Sequence, residues 1–254
     1  MRIAVVGGTG VIGRQLIDAV QRLGHEGVAL SRSRGVDVLR ADGLERALAG
    51  VHAVVDVSNM VGRDLDETRR LFATATRNLL AAEETAGVRH HVLLSIVGLE
   101  RIPGSAHYAG KLAQEALVLS GPVPFSIQRA TQFHEFAEQV VGWTRQGDVA
   151  TLPPLLVQPV AASDVAETLA ALAAGEPQGH ATDLAGPEPQ DLVDMARRTL
   201  AVRGERVRLV PSWRTGVLGV EAAGEVLLAP PGARLAPTTF DAWLERQGTA
   251  RRSA

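Results

Sequence analysis

The chain has 254 residues, of which 46% are hydrophobic and 21% charged, and its formal net charge at pH 7 is -2. This balance argues against a disordered chain, a nucleic-acid-binding surface or a polybasic membrane patch, and the absence of cysteine excludes disulfides, thiolate nucleophiles and Cys-ligated metals. No apolar run approaches the ~20 residues of a membrane span, and the N-terminus has no charged leader, so we expect a cytoplasmic protein.

The first predicted element is a short buried strand at residues 3–6, which leads directly into a glycine-rich turn. Gly7 permits the tight turn, Gly10 lets the backbone approach a pyrophosphate, and Gly13 lets the following helix pack on the strand. The pyrophosphate would then rest on the helix N-terminus. We therefore predict a dinucleotide site in this turn, formed by Gly7, Thr9, Gly10, Val11, Ile12 and Gly13.

The end of the second predicted strand, residues 27–30, indicates which dinucleotide is bound. An acidic residue there would accept a hydrogen bond from the ribose 2′-OH of NAD(H). This chain instead has Ser31-Arg32-Ser33-Arg34, and arginine binds phosphate bidentately. Ser31 and Arg32 thus favour NADP(H) over NAD(H), while the alternative is a solvated loop that tolerates both cofactors.

Strands and helices continue to alternate from residue 36 to residue 128. Strands are predicted at residues 36–39, 53–57, 91–96 and 125–128, and helices at 44–49, 65–86 and 108–119. This order predicts an α/β fold with a Rossmann-type, doubly wound parallel sheet, whose ligands lie outside the carboxyl ends of the strands. The residues expected there, in addition to the glycine turn, are Ser58, Asn59, Ser95, Thr131, Gln132 and the aromatic Phe133.

The regular alternation of strands and helices ends after residue 130, and the predicted elements become shorter. We predict a dinucleotide-binding core at residues 1–130 and a smaller, substrate-covering C-terminal lobe at residues 131–254, which partly returns strands to the main sheet. Helices are expected near 163–174, with Asp164 as N-cap, and 190–202. The tail, residues 251–254, is expected to fray.

The chain's only lysine, Lys111, lies three residues after its only tyrosine, Tyr108. A phenol and an ammonium one helical turn apart can form a proton-transfer unit, and a lysine acts as a compact charge beside a bound dinucleotide. Alternatively, one lysine remains by chance in an arginine-rich sequence.

Several segments together resemble the atypical short-chain dehydrogenase/reductases called NmrA-like or NAD(P)H-binding proteins. They are residues 7–13, 95–98, 111–115, 129–136 and 162–166. The resemblance implies a Rossmann sheet with a small C-terminal lobe. The family includes quinone, flavonoid and isoflavone-type reductases, and it also includes cofactor sensors that catalyse nothing. The resemblance therefore implies one of these two kinds of function.

The proposed active site departs from the superfamily pattern Tyr-x-x-x-Lys, because the residue four positions before Lys111 is His107. Three interpretations remain open. His107 replaces the phenol as the acid, since an ordinary histidine pKa of ~6.5 suits proton donation near neutrality. Tyr108 acts from the neighbouring position. Neither acts, and Lys111 only binds ribose hydroxyls.

Ser95 resembles the superfamily hydroxyl that polarises the substrate carbonyl, or else it bonds its own backbone. The leading hypothesis is an NADPH-dependent reductase of a small apolar carbonyl, quinone or activated alkene. The alternatives are a non-catalytic NADP(H) sensor that binds a protein partner, and a redox-neutral enzyme such as an epimerase or dehydratase. No helix carries a metal-ligand spacing, and the sequence indicates no particular oligomeric state.

Overall fold

The computed structural model describes residues 1–252, and the chain divides into two units. Unit 1 comprises Met1–Arg129 and Ala162–Thr182. Unit 2 comprises Ala130–Ala161 and the described residues from Asp183 onward. The segment 162–182 therefore packs with the N-terminal part of the chain, although it lies beyond residue 130.

Unit 1 alternates strands with helices, numbered here along the whole chain. Its elements are β1 (Arg2–Val6), α1 (Val11–Arg22), β2 (Glu26–Leu30), α2 (Leu44–Leu48), β3 (Ala53–Asp56), α3 (Leu65–Ala86), β4 (His90–Ile96), α4 (Ala106–Leu119), β5 (Phe125–Ala130, whose last residue belongs to unit 2), α6 (Ala162–Ala174) and β8 (Gly179–His180). The strands β1 and β3 are almost wholly apolar and buried, as strands covered on both faces require.

The sheet of unit 1 has the strand order β2-β1-β3-β4-β5-β8. The pairs β1–β2, β1–β3, β3–β4 and β5–β8 are parallel. β2 lies on one side of β1 and β3 lies on the other, so the strand order reverses at β1. Parallel sheets of this kind bind ligands at such a reversal, beside the carboxyl ends of the strands. The predicted fold class, a Rossmann-type parallel sheet flanked by helices, is confirmed.

One predicted strand is wrong. Residues 36–39 form turns with a single bridge between Asp37 and Asp42. The side chain of Asn78 donates to the carbonyl oxygens of Val38 and Leu39 at 2.9 and 3.1 Å, and Asp37 accepts from the Leu39 N–H at 3.0 Å. Side chains therefore satisfy backbone groups that a sheet would otherwise have to pair.

The prediction of Asp164 as an N-cap is also wrong, because α6 already begins at Ala162. Asp164 lies in the first turn, where its negative charge favours the helix N-terminus. The helix predicted from residue 190 begins at Leu192, where the Asp191 carboxylate accepts from the Asp194 N–H at 2.8 Å.

Unit 2 has short strands and three helices among the described residues. They are α5 (Phe136–Thr144), β6 (Val149–Leu152), β7 (Leu156–Val157), β9 (Leu184–Ala185), β10 (Gln190–Asp191), α7 (Leu192–Arg203), β11 (Arg208–Pro211), β12 (Arg234–Leu235) and α8 (Phe240–Arg252). β6 pairs with β11, β9 with β12, and Ala130 with Leu184, all parallel, whereas β7 and β10 are antiparallel. Of the tail expected to fray, residues 253 and 254 lie outside the described residues.

Candidate active site

The glycine turn between β1 and α1 has no space for a side chain at Gly8 or Gly13. Gly7 has φ +82°, and a Cβ on Gly13 would lie 2.2 Å from the Gly7 carbonyl oxygen. A Cβ on Gly8 would lie 2.8 Å from Ala29 Cα, a constraint that the sequence reasoning did not assign to this residue. The turn is therefore a bare backbone cradle of the kind that a pyrophosphate approaches closely.

The N-terminus of α1 adjoins this cradle and carries no side-chain cap. Gly10 is the extended N-cap residue, and the first helical turn contains no acidic side chain. Thr9, Gly10 and Val11 are exposed. The first N–H groups of a helix have no intrahelical acceptor, so this end suits an anion.

The segment after β2 presents arginines to solvent. Ser31 leads into a short 3₁₀ turn at Arg32–Arg34, and the hydroxyls of Ser31 and Ser33 lie 3.0 Å apart. Arg32 and Arg34 are exposed, and neither forms an ion pair within residues 1–252. Both guanidiniums are therefore available to a phosphate.

The loop after β3 lies against the glycine turn. A Cβ on Gly7 would be 3.1 Å from the Val57 carbonyl oxygen and 3.2 Å from Ser58 Cα. Ser58 is half-buried and Asn59 exposed. The structure thus brings Gly7 and Ser58, two of the predicted site residues, into contact.

The ammonium of Lys111 is buried and has protein acceptors. It donates to Leu94 O at 3.0 Å, Gln114 Oε1 at 2.9 Å and Ser58 O at 3.4 Å, and it lies 5.2 Å from the centre of the Phe72 ring. Three acceptors match the three protons of an ammonium group. Lys111 therefore ties α4 to the ends of β3 and β4.

Burial lowers the pKa of Lys111 to about 8, while the negative charges of Asp56 and Glu115 act in the opposite direction. The carboxylate of Asp56, 2% exposed at the end of β3, accepts from Gln114 Nε2 at 2.7 Å and from the Ser58 N–H at 2.8 Å. The sequence reasoning missed both Asp56 and Gln114. Two signals were present: an acid at the end of an apolar strand, and an amide three residues after Lys111 on the same helix face.

His107 and Tyr108 lie in the first turn of α4, which Ser105 caps. The His107 ring centre is 5.8 Å from that of Phe72 and 6.4 Å from that of Tyr108. Burial, and then the charge of Lys111, lower the pKa of His107 to about 4. A lowered pKa disfavours the imidazolium near pH 7, whereas a neutral imidazole still donates one N–H, so the role of His107 as a proton donor stays a prediction. Tyr108 is buried.

Ser95 lies near the carboxyl end of β4 and is 2% exposed. Its hydroxyl has no hydrogen-bond partner in the described part of the chain. The interpretation in which Ser95 bonds its own backbone is therefore wrong. An unpaired buried hydroxyl costs free energy, so it is a strong candidate for a ligand contact.

Thr131, Gln132 and Phe133 belong to unit 2. The Thr131 N–H donates to Leu184 O at 3.0 Å, and its hydroxyl donates to Gln158 O at 2.5 Å. Gln132 O accepts from the Val160 N–H at 2.8 Å. These groups hold unit 2 together, and their contact with a cofactor stays a prediction.

Two further features of residues 1–252 bear on function. No group of three or more His, Asp or Glu side chains in this part of the chain could hold a metal ion. No helix within it has the length and apolar character that crossing a membrane requires.

Residues 3–117 match the model of the NAD dependent epimerase/dehydratase family. Among curated proteins, the photosystem II assembly factor Ycf39 of Synechocystis sp. (strain ATCC 27184 / PCC 6803 / Kazusa) is 31% identical over 117 residues, which are 41% of this chain and 36% of that protein. Ycf39 of Trieres chinensis is 25% identical over 149 residues, 53% of this chain and 47% of that protein. The match therefore spans less than half the length of either relative.

Solved structures with the same fold cover 98% to 100% of the chain. A short-chain dehydrogenase/reductase superfamily protein from Agrobacterium tumefaciens with bound NAD has a TM-score of 0.71 at 21% identity, covering 100% of this chain and 98% of that one. dTDP-4-dehydrorhamnose reductase from Bacillus anthracis str. Ames in complex with NADP has a TM-score of 0.74 at 15% identity, covering 98% and 99%. These likenesses show the fold. The family match over residues 3–117 agrees with the predicted resemblance to NAD(P)-binding proteins in the N-terminal part of the chain.

Proposed function

We propose that this chain is an atypical NAD(P)-binding member of the short-chain dehydrogenase/reductase superfamily, which binds NADPH and reduces a small apolar substrate. The observation that carries the proposal is the glycine turn, where a Cβ on Gly13 would lie 2.2 Å from the Gly7 carbonyl oxygen. Such a bare turn, opening an uncapped helix after a buried strand, fits a pyrophosphate. The residues that would hold the cofactor in unit 1 are Gly7, Thr9, Gly10, Val11, Ile12, Gly13, Ser31, Arg32, Ser58 and Asn59.

The preference for NADPH over NADH depends on the end of β2. No acidic side chain is present in Ser31-Arg32-Ser33-Arg34 to repel a 2′-phosphate. The exposed guanidinium of Arg32 forms no ion pair within the described residues, so binding a phosphate would not require breaking one. A charge-assisted hydrogen bond to that phosphate favours NADPH.

The nicotinamide, when bound, would supply the hydride. Ser95 offers a buried hydroxyl without a protein partner, which suits it to donate to a substrate oxygen. His107, neutral at pH 7, acts in this proposal as an N–H donor and not as an imidazolium acid. Lys111 is held by the protein and supplies a fixed positive charge. Tyr108 remains the alternative proton donor.

The proposed substrates are small apolar carbonyls, quinones or activated alkenes. This class, and the finer assignment to the NmrA-like group, are supported by the segments 95–98 and 111–115. The family match also includes epimerases and dehydratases by name, so a redox-neutral reaction that retains the cofactor is the nearest enzymatic alternative.

A second candidate is a dinucleotide-binding protein that transfers no hydride and acts on a protein partner. Two observations favour it: the curated relatives are named assembly factors, and the three protons of Lys111 already have protein acceptors. This candidate shares the cofactor site with the first and differs only in the chemistry beside it.

The test is a titration of the purified protein with NADPH and NADH, followed by NADPH oxidation with a panel of quinones, ketones and activated alkenes. The Gly13→Ala variant is the non-binding control, because its Cβ cannot be accommodated. Saturable binding with turnover supports the reductase, whereas tight binding without turnover of any acceptor supports the second candidate. Absence of binding to both nucleotides would overturn the proposal.

A further inference from the structure

Four hydrogen bonds close a ring behind the candidate site. Gln114 Nε2 donates to Asp56 Oδ2 at 2.7 Å, and Lys111 Nζ donates to Gln114 Oε1 at 2.9 Å. Lys111 Nζ also donates to Ser58 O at 3.4 Å, and the Ser58 N–H donates to Asp56 Oδ1 at 2.8 Å. The ring joins α4 to the end of β3 and to the loop that follows it.

The chemistry of its neighbours determines the orientation of the Gln114 amide. A carboxylate only accepts hydrogen bonds and an ammonium only donates them, so the NH₂ group must face Asp56 and the oxygen must face Lys111. Gln114 is 1% exposed, so water cannot replace it without rearrangement. No other polar side chain within residues 1–252 hydrogen-bonds both Asp56 and Lys111.

We infer that Gln114 is a positioning residue, which holds the Lys111 ammonium and the loop at residues 57–59 in the arrangement that receives the dinucleotide. Ser58 belongs to the ring and also lies against Gly7, so the ring supports the cradle directly. The inference rests on the proposed function for its dinucleotide part. The arrangement of Lys111 itself is independent of any cofactor.

The charged and titratable groups around Lys111 are Asp56 on β3 and Glu115 and His107 on α4, while α3 contributes the uncharged ring of Phe72. Gln114 adds an oxygen that accepts from the ammonium. An acceptor of this kind stabilises the charged form, so its removal lowers the pKa of Lys111.

The test uses the fact that Lys111 is the only lysine in the chain. Incorporation of ¹³C,¹⁵N-lysine gives one side-chain signal, which needs no assignment and reports the Lys111 titration without cofactor. Gln114→Met should lower the titration midpoint by about one pH unit, the size of one charge-assisted hydrogen bond. The matched control is Gln139→Met, at an exposed position of α5, which should leave the midpoint unchanged.

Two further variants keep the inference falsifiable if Gln114→Met does not fold. Gln114→Glu retains an acceptor next to Lys111 and should raise the midpoint, because a negative charge favours the ammonium. Asp56→Asn removes the charge behind the amide and should lower the midpoint. Midpoints equal to that of the wild type in all the folded Gln114 and Asp56 variants would overturn the inference.

The second measurement is NADPH affinity at pH 7. Gln114→Met should weaken binding about tenfold and raise the KM for NADPH more than it changes kcat, whereas Gln139→Met should change neither. A shifted Lys111 midpoint with unchanged NADPH affinity would overturn the dinucleotide part of the inference. A wild type that binds neither nucleotide would refute the proposed function, and the lysine titration would still decide whether Gln114 positions Lys111.

Discussion

A Cβ on Gly110 would lie only 2.3 Å from Cδ2 of the buried Phe72 ring. The same ring lies 5.2 Å from the Lys111 ammonium and 5.8 Å from the His107 ring centre. A glycine in α4 therefore lets α3 approach closely enough for an aromatic ring to cover Lys111. The burial that lowers the pKa of Lys111 depends in part on a residue that has no side chain.

Gly110→Ala should lower the free energy of unfolding by about 1–3 kcal/mol, because the new methyl group displaces a buried ring. Gly142→Ala is the matched control in α5, where a Cβ meets nothing within 4 Å. There the same change should be neutral or should stabilise the protein by up to about 1 kcal/mol. Denaturant unfolding measures both variants, and equal effects would contradict the packing argument.

Arg32→Asp should weaken NADPH binding about 10- to 100-fold and leave NADH binding unchanged or stronger, because an acid repels the 2′-phosphate and accepts from a 2′-OH. The measurement is a paired titration with both nucleotides. Arg77→Asp, at an exposed position of α3 that is not assigned to the cofactor, makes the same change in net charge. Equal losses for NADPH and NADH, or equal effects of the two substitutions, would refute the assignment of Arg32.

Ser95→Ala should change the free energy of unfolding by less than about 1 kcal/mol, because the hydroxyl that it removes has no partner in the described residues. Ser126→Ala on β5 is the contrast. Its hydroxyl lies 2.9 Å from His90 Nε2 and accepts from the Gln178 N–H at 3.0 Å, so its loss should cost about 1–3 kcal/mol.

Ser95→Ala should have the smaller effect on stability but the larger effect on catalysis. If Ser95 contacts the substrate, Ser95→Ala lowers kcat/KM in a folded protein of wild-type stability. An unchanged kcat/KM in that variant would remove Ser95 from the chemistry.

His91 and Glu83 form a fully buried pair, with His91 Nδ1 2.9 Å from Glu83 Oε1. Burial raises the pKa of Glu83; burial alone would lower that of His91, but the Glu83 carboxyl raises it overall. Replacing either partner alone by Leu should cost about 3–5 kcal/mol, and replacing both should cost less than either single change. Denaturant unfolding of the wild type, the two single variants and the double variant measures these changes in the free energy of unfolding.

The contribution of the pair should also depend on pH. The folded pair retains a proton that the unfolded chain releases above the ordinary histidine pKa of ~6.5. The stability that it contributes is therefore fully present below pH ~6.5 and falls, by up to about 1.4 kcal/mol per pH unit, as the pH rises through the folded pKa. The difference between wild type and the double Leu variant should shrink from pH 6 to pH 9, and a constant or growing difference would contradict the assignment.

The parts of the fold that could be predicted from the sequence are those where local chemistry and long-range packing agree. The apolar run of β1, the glycine turn and α3 with its Gly87 C-cap are examples. The predicted strand at residues 36–39 failed because Asn78, about forty residues away, satisfies its carbonyl groups. No local pattern contains that contact.

The sequence by itself determined where the glycine turn of the proposed dinucleotide site lies and where the single lysine stands, because glycine spacing and strand–helix alternation are local properties of the chain. Only the tertiary structure decided what surrounds that lysine. Its acceptors at Ser58 and Leu94, and the ring of Phe72, come from segments 17 to 53 residues away in sequence. Because a pKa depends on burial and on charges that the fold brings together, the protonation of Lys111 and His107 follows from packing and not from residue type.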